Sequence, residues 1–573
     1  MSTMLLITLL TSLVGASLGA QALDNSFTNP ILPGWHSDPS CTGVIAELNN
    51  TNFCVTSTFL ATPGLPVYAS QDLVNWKLVS SALNRESQLP EIGDSSPGQQ
   101  NGIFAPTFRY RDGTFYIVVV SVLGVDPDQG IVGTIYTTTD PYSDDAWSDA
   151  LRFTPVSIDP DLFWDDDVDG QVYITYAGIQ QAKVDLSTGE TSSSYYIWNG
   201  TGGSSPEGPH IYKPWKDGYY YLMIAEGGTE LGHAVTIARA TAVDGPYEAF
   251  EGNPILTNRN TSEYFQTVGH ADLWQDADAN WWGVALSTRS GPEWVNYPMG
   301  RETVLFNVTW EEGGWPVCQK PIQGQMDGWD LPPASGNIPG DGPLVGDPDV
   351  VDFEEYTSVP KHFVYWRFPK VENYEVSPEE KPNALKLTPS AANLTGGADF
   401  APADGITFVS RRQTYTLFNY SVDVELNATA AEEEVGVTAF LTQYQHIDLG
   451  LVALPISNGS LDYYLRFRVT GTGNYEGPAI ETVVKPVPIP WSQPLRLGIQ
   501  AVNDTHYAFS ASTSGDSGSA DIIGYAPSTL LSGGTGPFTG TLIGAYATSN
   551  GGTGSSPAYV SRWRYQGLGQ KTN

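Results

Sequence analysis

PDLFWDDDVDG (residues 160–170) runs without a break into QVYITYA (171–177). An aromatic strand enters a turn rich in Asp and Gly, and a β-branched strand leaves it, which is the composition of a β-hairpin. Four other stretches read the same way. They are DPSCTGV (38–44) with NFCVTSTF (52–59), APTFRYRDG (105–113) with TFYIVVV (114–120), PHIYKPWKDG (209–218) with YYYLMIA (219–225), and ADLWQDADAN (271–280) with WWGVAL (281–286). The residues at or just before the first strands are Asp38, Phe104, Asp159, Glu207 and His270, separated by 66, 55, 48 and 63 positions. A hairpin repeated at a period of about 50–60 residues predicts a five-bladed β-propeller. Residues of matching phase then share one end of the central axis, so three carboxylates and a histidine converge on one pocket.

Between the hairpins, PVYASQDLVNW, TIYTTTDPYSDDAW and TIARATAVDGPY each pair a β-branched strand with an Asp-bearing turn, as outer strands of blades require. GRETVLFNVTWEEGGWPV (300–317) completes the fifth blade, so the propeller spans 23–325. Residues 326–349 are dense in Gly, Pro and Asp and read as a linker or a strap laid over a surface. From 350 to 573, short alternating strands resume without the repeat, among them FVSRRQTYTLFNYSVDVEL and LDYYLRFRV. They predict a second all-β domain, a jelly-roll-like β-sandwich. Two domains also suit a length of 573 residues, too great for one core.

The first 22 residues carry apolar runs and a small-residue AQA site, which read as a secretory signal peptide despite the absence of an early Lys or Arg. Nine Asn-X-Ser/Thr sequons, at Asn49, Asn199, Asn260, Asn307, Asn393, Asn419, Asn427, Asn458 and Asn503, fit the same extracellular route. With 27 Lys and Arg against 63 Asp and Glu, the formal charge of −36 repels nucleic acid and anionic membranes, and neither partner is expected. Cys41 and Cys54 lie on opposite strands of the first hairpin and are either disulfide-bonded or two buried thiols, with Cys318 left over. No Cys and His spacing suits zinc.

Glycosidic hydrolysis needs a carboxylic acid to protonate the leaving oxygen and a carboxylate to activate water or attack carbon. A third carboxylate nearby can hold the acid protonated by like-charge repulsion. Asp38, Asp159 and Glu207 supply that set. NPILPGWHSDPS (29–40), IDPDLFWDDD around Asp159, PEGPHIY around Glu207, VGHAD around His270 and GRET at Arg301 together resemble glycoside hydrolase family 43, in particular fungal β-xylosidases and α-L-arabinofuranosidases. FVSRRQT is similar to the sandwich that follows the propeller in many members. The resemblance implies inverting hydrolysis with Asp38 as general base, Glu207 as general acid and Asp159 raising and orienting Glu207. It also implies Arg301 in the sugar pocket and a substrate of arabinoxylan or its oligosaccharides, from which xylose or arabinofuranose is removed. No cofactor is required.

Each residue has a plainer reading. Asp before Pro is usually turn chemistry, Glu207 sits in a Pro- and Gly-containing loop, and Asp161 rivals Asp159 from two positions on. His270 is either a structural histidine or a ligand of a calcium ion near the axis. Trp35 and Phe104 are expected as sugar platforms, with Phe104 standing where the family often has Trp. DDDVDG (165–170) imitates the start of a calcium loop, but Tyr176 stands where the bidentate Glu belongs. WHSDPS in place of WMNDPNG argues against an invertase-type enzyme. A non-catalytic lectin on the same propeller, or an arabinan-directed exo-hydrolase of the same fold, are the competing functions.

Overall fold

A computed structural model describes residues 25–94, 99–124, 130–333, 337–397, 400–487, 494–513 and 520–573. The proposed signal peptide lies outside the described residues. Each hairpin is present, and each grows into a four-stranded antiparallel sheet. The first sheet comprises Ser40–Ile45, Thr51–Val55, Gly64–Ser70 and Lys77–Leu83; the second Gly102–Arg111, Thr114–Val122, Ile131–Thr138 and Leu151–Phe153. The third comprises Asp161–Asp165, Gln171–Tyr176, Gln180–Lys183 and Tyr195–Tyr196; the fourth Glu207–Tyr212, Tyr220–Glu226, Ala234–Ala240 and Glu248–Ala249. Phe265–Gln275, Trp281–Arg289, Arg301–Thr309 and Val317–Cys318 form the fifth. The first strand of each sheet lies against the first strand of the next, and that of the fifth lies against that of the first. Ser26–Thr28 pairs with Gln325–Asp327, so the start of this region is tied to its end.

The backbone repeats one distortion in all five sheets. Asp38, Ala105, Asp159, Gly208 and His270 all have left-handed φ, at 52°, 24°, 56°, 53° and 50°. Register shifts mark the same region in three of the sheets, as expected where a bulge re-aims a side chain. Four of the five precede proline, which excludes the right-handed helical conformation. A left-handed conformation costs a non-glycine residue about 1–2 kcal/mol, and its recurrence shows that the surrounding sheets impose it.

Two positions further along, the strands meet around Arg109. Its guanidinium donates to Asp161 Oδ1 at 2.6 Å, to Asp272 Oδ2 at 2.9 Å and to Ser40 Oγ at 3.3 Å, and lies 2.9 Å from His210 Nδ1. Tyr212 Oη donates to Asp272 Oδ1 at 2.8 Å, and Ser40 Oγ donates to Asp272 Oδ2 at 2.7 Å. Each of the five sheets contributes to this cluster. Asp161 and Asp272 are fully buried, and burial alone would raise Asp272, but Arg109 and His210 hold it far below the usual carboxylate range.

The remaining residues form a β-sandwich. One sheet runs Tyr374–Val376, Leu385–Leu387, Ala558–Gly569, Leu417–Leu426, Leu495–Asn503, His506–Thr513, Asp521–Pro527, with Asp349–Val351 beside Ala558–Gly569. Facing it, Thr407–Arg412, Leu542–Thr548, Glu434–Thr442, Gln445–Pro455, Leu461–Thr470 and Val483–Pro486 form the second. Val422, Val437, Leu449, Leu497 and Phe509 are among the side chains buried between them. FVSRRQTYTLFNYSVDVEL is not one strand, because its halves lie in different sheets with the turn 413–416 between them. The segment after 327 is a strap on the outer strand of the first sheet: Leu78 N donates to Pro343 O at 3.0 Å, and Lys77 Nζ to the carbonyls of Ile338 and Gly340 at 2.8 and 2.7 Å. Cys41 and Cys54 face each other across the first hairpin and are disulfide-bonded, while Cys318 is a buried free thiol. Among the described residues, no helix is long and apolar enough to cross a membrane.

Arg109→Met leaves two buried carboxylates without their counter-charge. Loss of one partner from such a cluster costs about 3–5 kcal/mol, so denaturant unfolding is expected to show a loss of at least about 3 kcal/mol.

Candidate active site

Four of the five left-handed residues, all but Gly208, line a cavity of about 150 Å³, formed by Asp38, Asp159, Glu207, His270, Arg301 and Thr229, with Phe59, Phe104, Ala105, Ile158 and Phe538. Asp38 leads into the first strand of its sheet and is 5% exposed. Its Oδ2 accepts from Ser57 Oγ at 2.6 Å, and its Oδ1 accepts from Arg301 Nη1 at 3.2 Å. Ser57 is fixed in that role because its own oxygen accepts from Ala105 N at 2.7 Å. Burial opposes ionisation of Asp38, yet Arg301, His270 and Ser57 outweigh it and hold its carboxyl below the usual range.

Glu207 and Asp159 behave in the opposite way. Burial, then the nearby Asp38 carboxylate, push Glu207 up to about 7, with Arg301 opposing and Glu230 assisting. Burial also raises Asp159 to about 7, with His270 opposing and Glu207 and Asp38 assisting. Burial, the Asp38 carboxylate and the mutual repulsion of Glu207 and Asp159 thus all favour the protonated forms of this pair. Asp159 reaches the next sheet through the backbone: its Oδ2 accepts from Gly208 N at 3.1 Å, one residue beyond Glu207. Gly208 has φ +53°, and a Cβ there would lie 2.9–3.0 Å from the His270 ring, so a side chain at 208 would collide with the pocket floor.

Arg301, the first residue of its strand, is held on both sides. Nη1 also donates to Thr229 Oγ1 at 3.2 Å, while Nε and Nη2 donate to Phe538 O at 3.3 and 3.2 Å. Phe538 comes from the sandwich, in the segment GGTGPFTGT (533–541), and its own N–H donates to Gln100 Oε1 at 2.8 Å. Its ring lies 6.2 Å from that of Phe59, which in turn lies 4.8 Å from Phe104. These rings form an apolar wall beside the carboxylates, the arrangement that accepts the face of a sugar ring.

Asp38, Asp159, Glu207, His270, Arg301 and Phe104 are thus brought together. Trp35 is not: it is fully buried and packs beneath Phe59 at 5.9 Å, so it offers no platform to a sugar. Asp161 faces away from the cavity towards Arg109 and Ile211 N. At the axis Asp161 and Asp272 are both paired with Arg109, and among the described residues no three His, Cys, Asp or Glu side chains are grouped to hold a metal. The aspartates of DDDVDG are engaged elsewhere: Asp165 accepts from Tyr220 Oη at 3.0 Å, Asp166 pairs with Arg111, and Asp167 pairs with Lys213. Ala105, Ile158, Thr229 and Phe538 were not expected from the sequence. Ala105 had a signal in its X-Pro phase, whereas Phe538 had none, since it belongs to the other domain.

Residues 27–316 match the family model for glycosyl hydrolases family 43. The chain belongs to that family. Residues 350–566 match the β-xylosidase C-terminal concanavalin A-like domain. The family 43 chain is 34% identical to the non-reducing end α-L-arabinofuranosidase of Bacteroides ovatus, over 96% of its length and 97% of the relative's. It is 29% identical to a β-xylosidase of Bacillus subtilis, over 94% and 99%. A solved xylan β-1,4-xylosidase from Bacillus halodurans superposes with a TM-score of 0.78 at 27% identity, covering 94% of this chain and all of that one. The chain is therefore a glycosidase, and its cavity is the site where family 43 chemistry is to be sought.

A carboxyl with a folded pKa above its unfolded value weakens the fold as pH rises between the two values. For Glu207 that window runs from about 4.5 to about 7. Glu207→Gln is expected to melt above the parent at pH 7.5, with a gain of up to about 3 kcal/mol, and the gap should close towards pH 4. Thermal melts across that range read it directly.

Proposed function

We propose that this chain is a secreted, exo-acting family 43 glycosidase that removes single xylose or arabinofuranose units from arabinoxylan or its oligosaccharides by inverting hydrolysis. The observation that carries the mechanism is a carboxylate kept ionised, Asp38, and a carboxyl kept protonated, Glu207, in one cavity of about 150 Å³. Asp38 takes a proton from the attacking water while Glu207 gives its proton to the departing glycosidic oxygen. The new C–O bond forms opposite the one that breaks, and configuration inverts. Asp159 acts as a positioning residue, fixing the backbone beside Glu207 through Gly208 N–H. Arg301 and His270 keep Asp38 ionised and meet the sugar hydroxyls.

The ring of first-strand contacts and the left-handed residues around one cavity support a five-bladed propeller as the frame. Phe538 walls the cavity from the second domain, which favours one terminal sugar over a passing polymer. The relatives, an arabinofuranosidase and a β-xylosidase, support both sugars. Secretion is supported by the Cys41–Cys54 disulfide, which persists in oxidising compartments, and by the sequons.

Proton-transfer groups contribute about 10²–10⁴ each in rate, so Asp38→Asn and Glu207→Gln should each lower kcat by that order with the fold intact. The parent's kcat/KM should fall above about pH 7 as Glu207 loses its proton. NMR of products from arabinoxylan oligosaccharides should show the inverted anomer first, and initial formation of the retained anomer overturns the mechanism. Phe538→Ala should raise KM for short nitrophenyl glycosides more than it lowers kcat, measured by steady-state kinetics.

A further inference from the structure

Away from the catalytic cavity, a small space of about 30 Å³ lies where the sandwich and the strap meet the first sheet. Arg412, the last residue of the sandwich strand Thr407–Arg412, lines it and is only 7% exposed. Arg411, Arg289 and Arg301 are similarly buried, and each reaches a carboxylate, Asp349 at 2.6 Å, Glu302 at 2.7 Å and Asp38 at 3.2 Å. Among the described residues, Arg412 reaches none. Its Nε and Nη2 are buried without an acceptor among the described residues. Its guanidinium lies 5.7 Å from the centre of the Trp35 ring, a cation–π contact that offsets only part of its lost hydration.

The other polar groups at this space leave the positive charge uncompensated. His36 Nε2 and Tyr68 Oη bond to each other at 2.7 Å. Burial, with Arg412 assisting, keeps the His36 ring neutral, and burial keeps the Tyr68 hydroxyl protonated. His362 is bonded to Asp349, which also neutralises Arg411. Asp347 lies at the exposed rim, where its Oδ2 accepts from Leu344 N at 3.1 Å. A buried guanidinium without a partner is strongly unfavourable, and a space of this size admits a water-sized occupant.

We propose that Arg412 binds a single monatomic anion, of which chloride is the abundant example, in the space between the two domains. The ion supplies the missing counter-charge and ties the sandwich strand to Tyr68 and His36 of the first sheet. It thereby strengthens the docking that carries Phe538 to the active site.

Crystals of the full chain grown in sodium bromide test this by anomalous scattering. A bromide peak in contact with the Arg412 guanidinium is expected, and a water without anomalous signal at that position overturns the proposal. In solution, the thermal midpoint of the parent should rise and saturate with chloride or bromide relative to sodium gluconate at equal ionic strength. Arg412→Met should lose that difference, and an equal halide response in both proteins also overturns the proposal. The crystallographic arm decides the matter should the variant fail to fold.

Discussion

The position of every catalytic candidate depends on the Arg109 cluster. One guanidinium from the second sheet, reached by polar groups from the other four, ties the first strands together around the axis. Asp38, Asp159 and His270 lie two residues before Ser40, Asp161 and Asp272, all of which take part in that cluster. A shift in the lower layer would therefore move the upper one. One guanidinium is shared by two buried carboxylates, and the geometric specificity of that arrangement is what the site above inherits.

That rigidity permits unequal treatment of like groups. Three carboxyls share one cavity, but only Asp38 faces the Arg301 guanidinium and a serine hydroxyl. Its retained negative charge is in turn one reason Glu207 holds a proton. Asp38 and Glu207, the proposed base and acid, thus differ partly through Arg301, which bonds to Asp38 and to the Phe538 carbonyl of the sandwich.

Much of this was legible in the sequence because the hairpin repeat has a strong composition and a constant phase. Asp38, Asp159, Glu207, His270 and Arg301 follow from phase and motif together. The phase was less exact at the second and fourth sheets, where the left-handed residues are Ala105 and Gly208 rather than Phe104 and Glu207. Pro106 and Pro209 marked them. Trp35 misled because aromatic identity near a motif does not reveal which side of the chain is buried. Phe538 lay beyond reach, since contact across more than two hundred residues between unlike domains leaves no local pattern.

The wall that Phe538 provides has a further implication. On the proposed function, the proton chemistry lies in one half of the chain, whereas one wall of the cavity, Phe538, comes from the segment 533–541 in the other. Chain-length selectivity and bond-breaking power are then separately adjustable traits. Grafting a shorter or longer turn at 533–541 could convert a trimmer of ends into a remover of branches while the acid and base stay untouched.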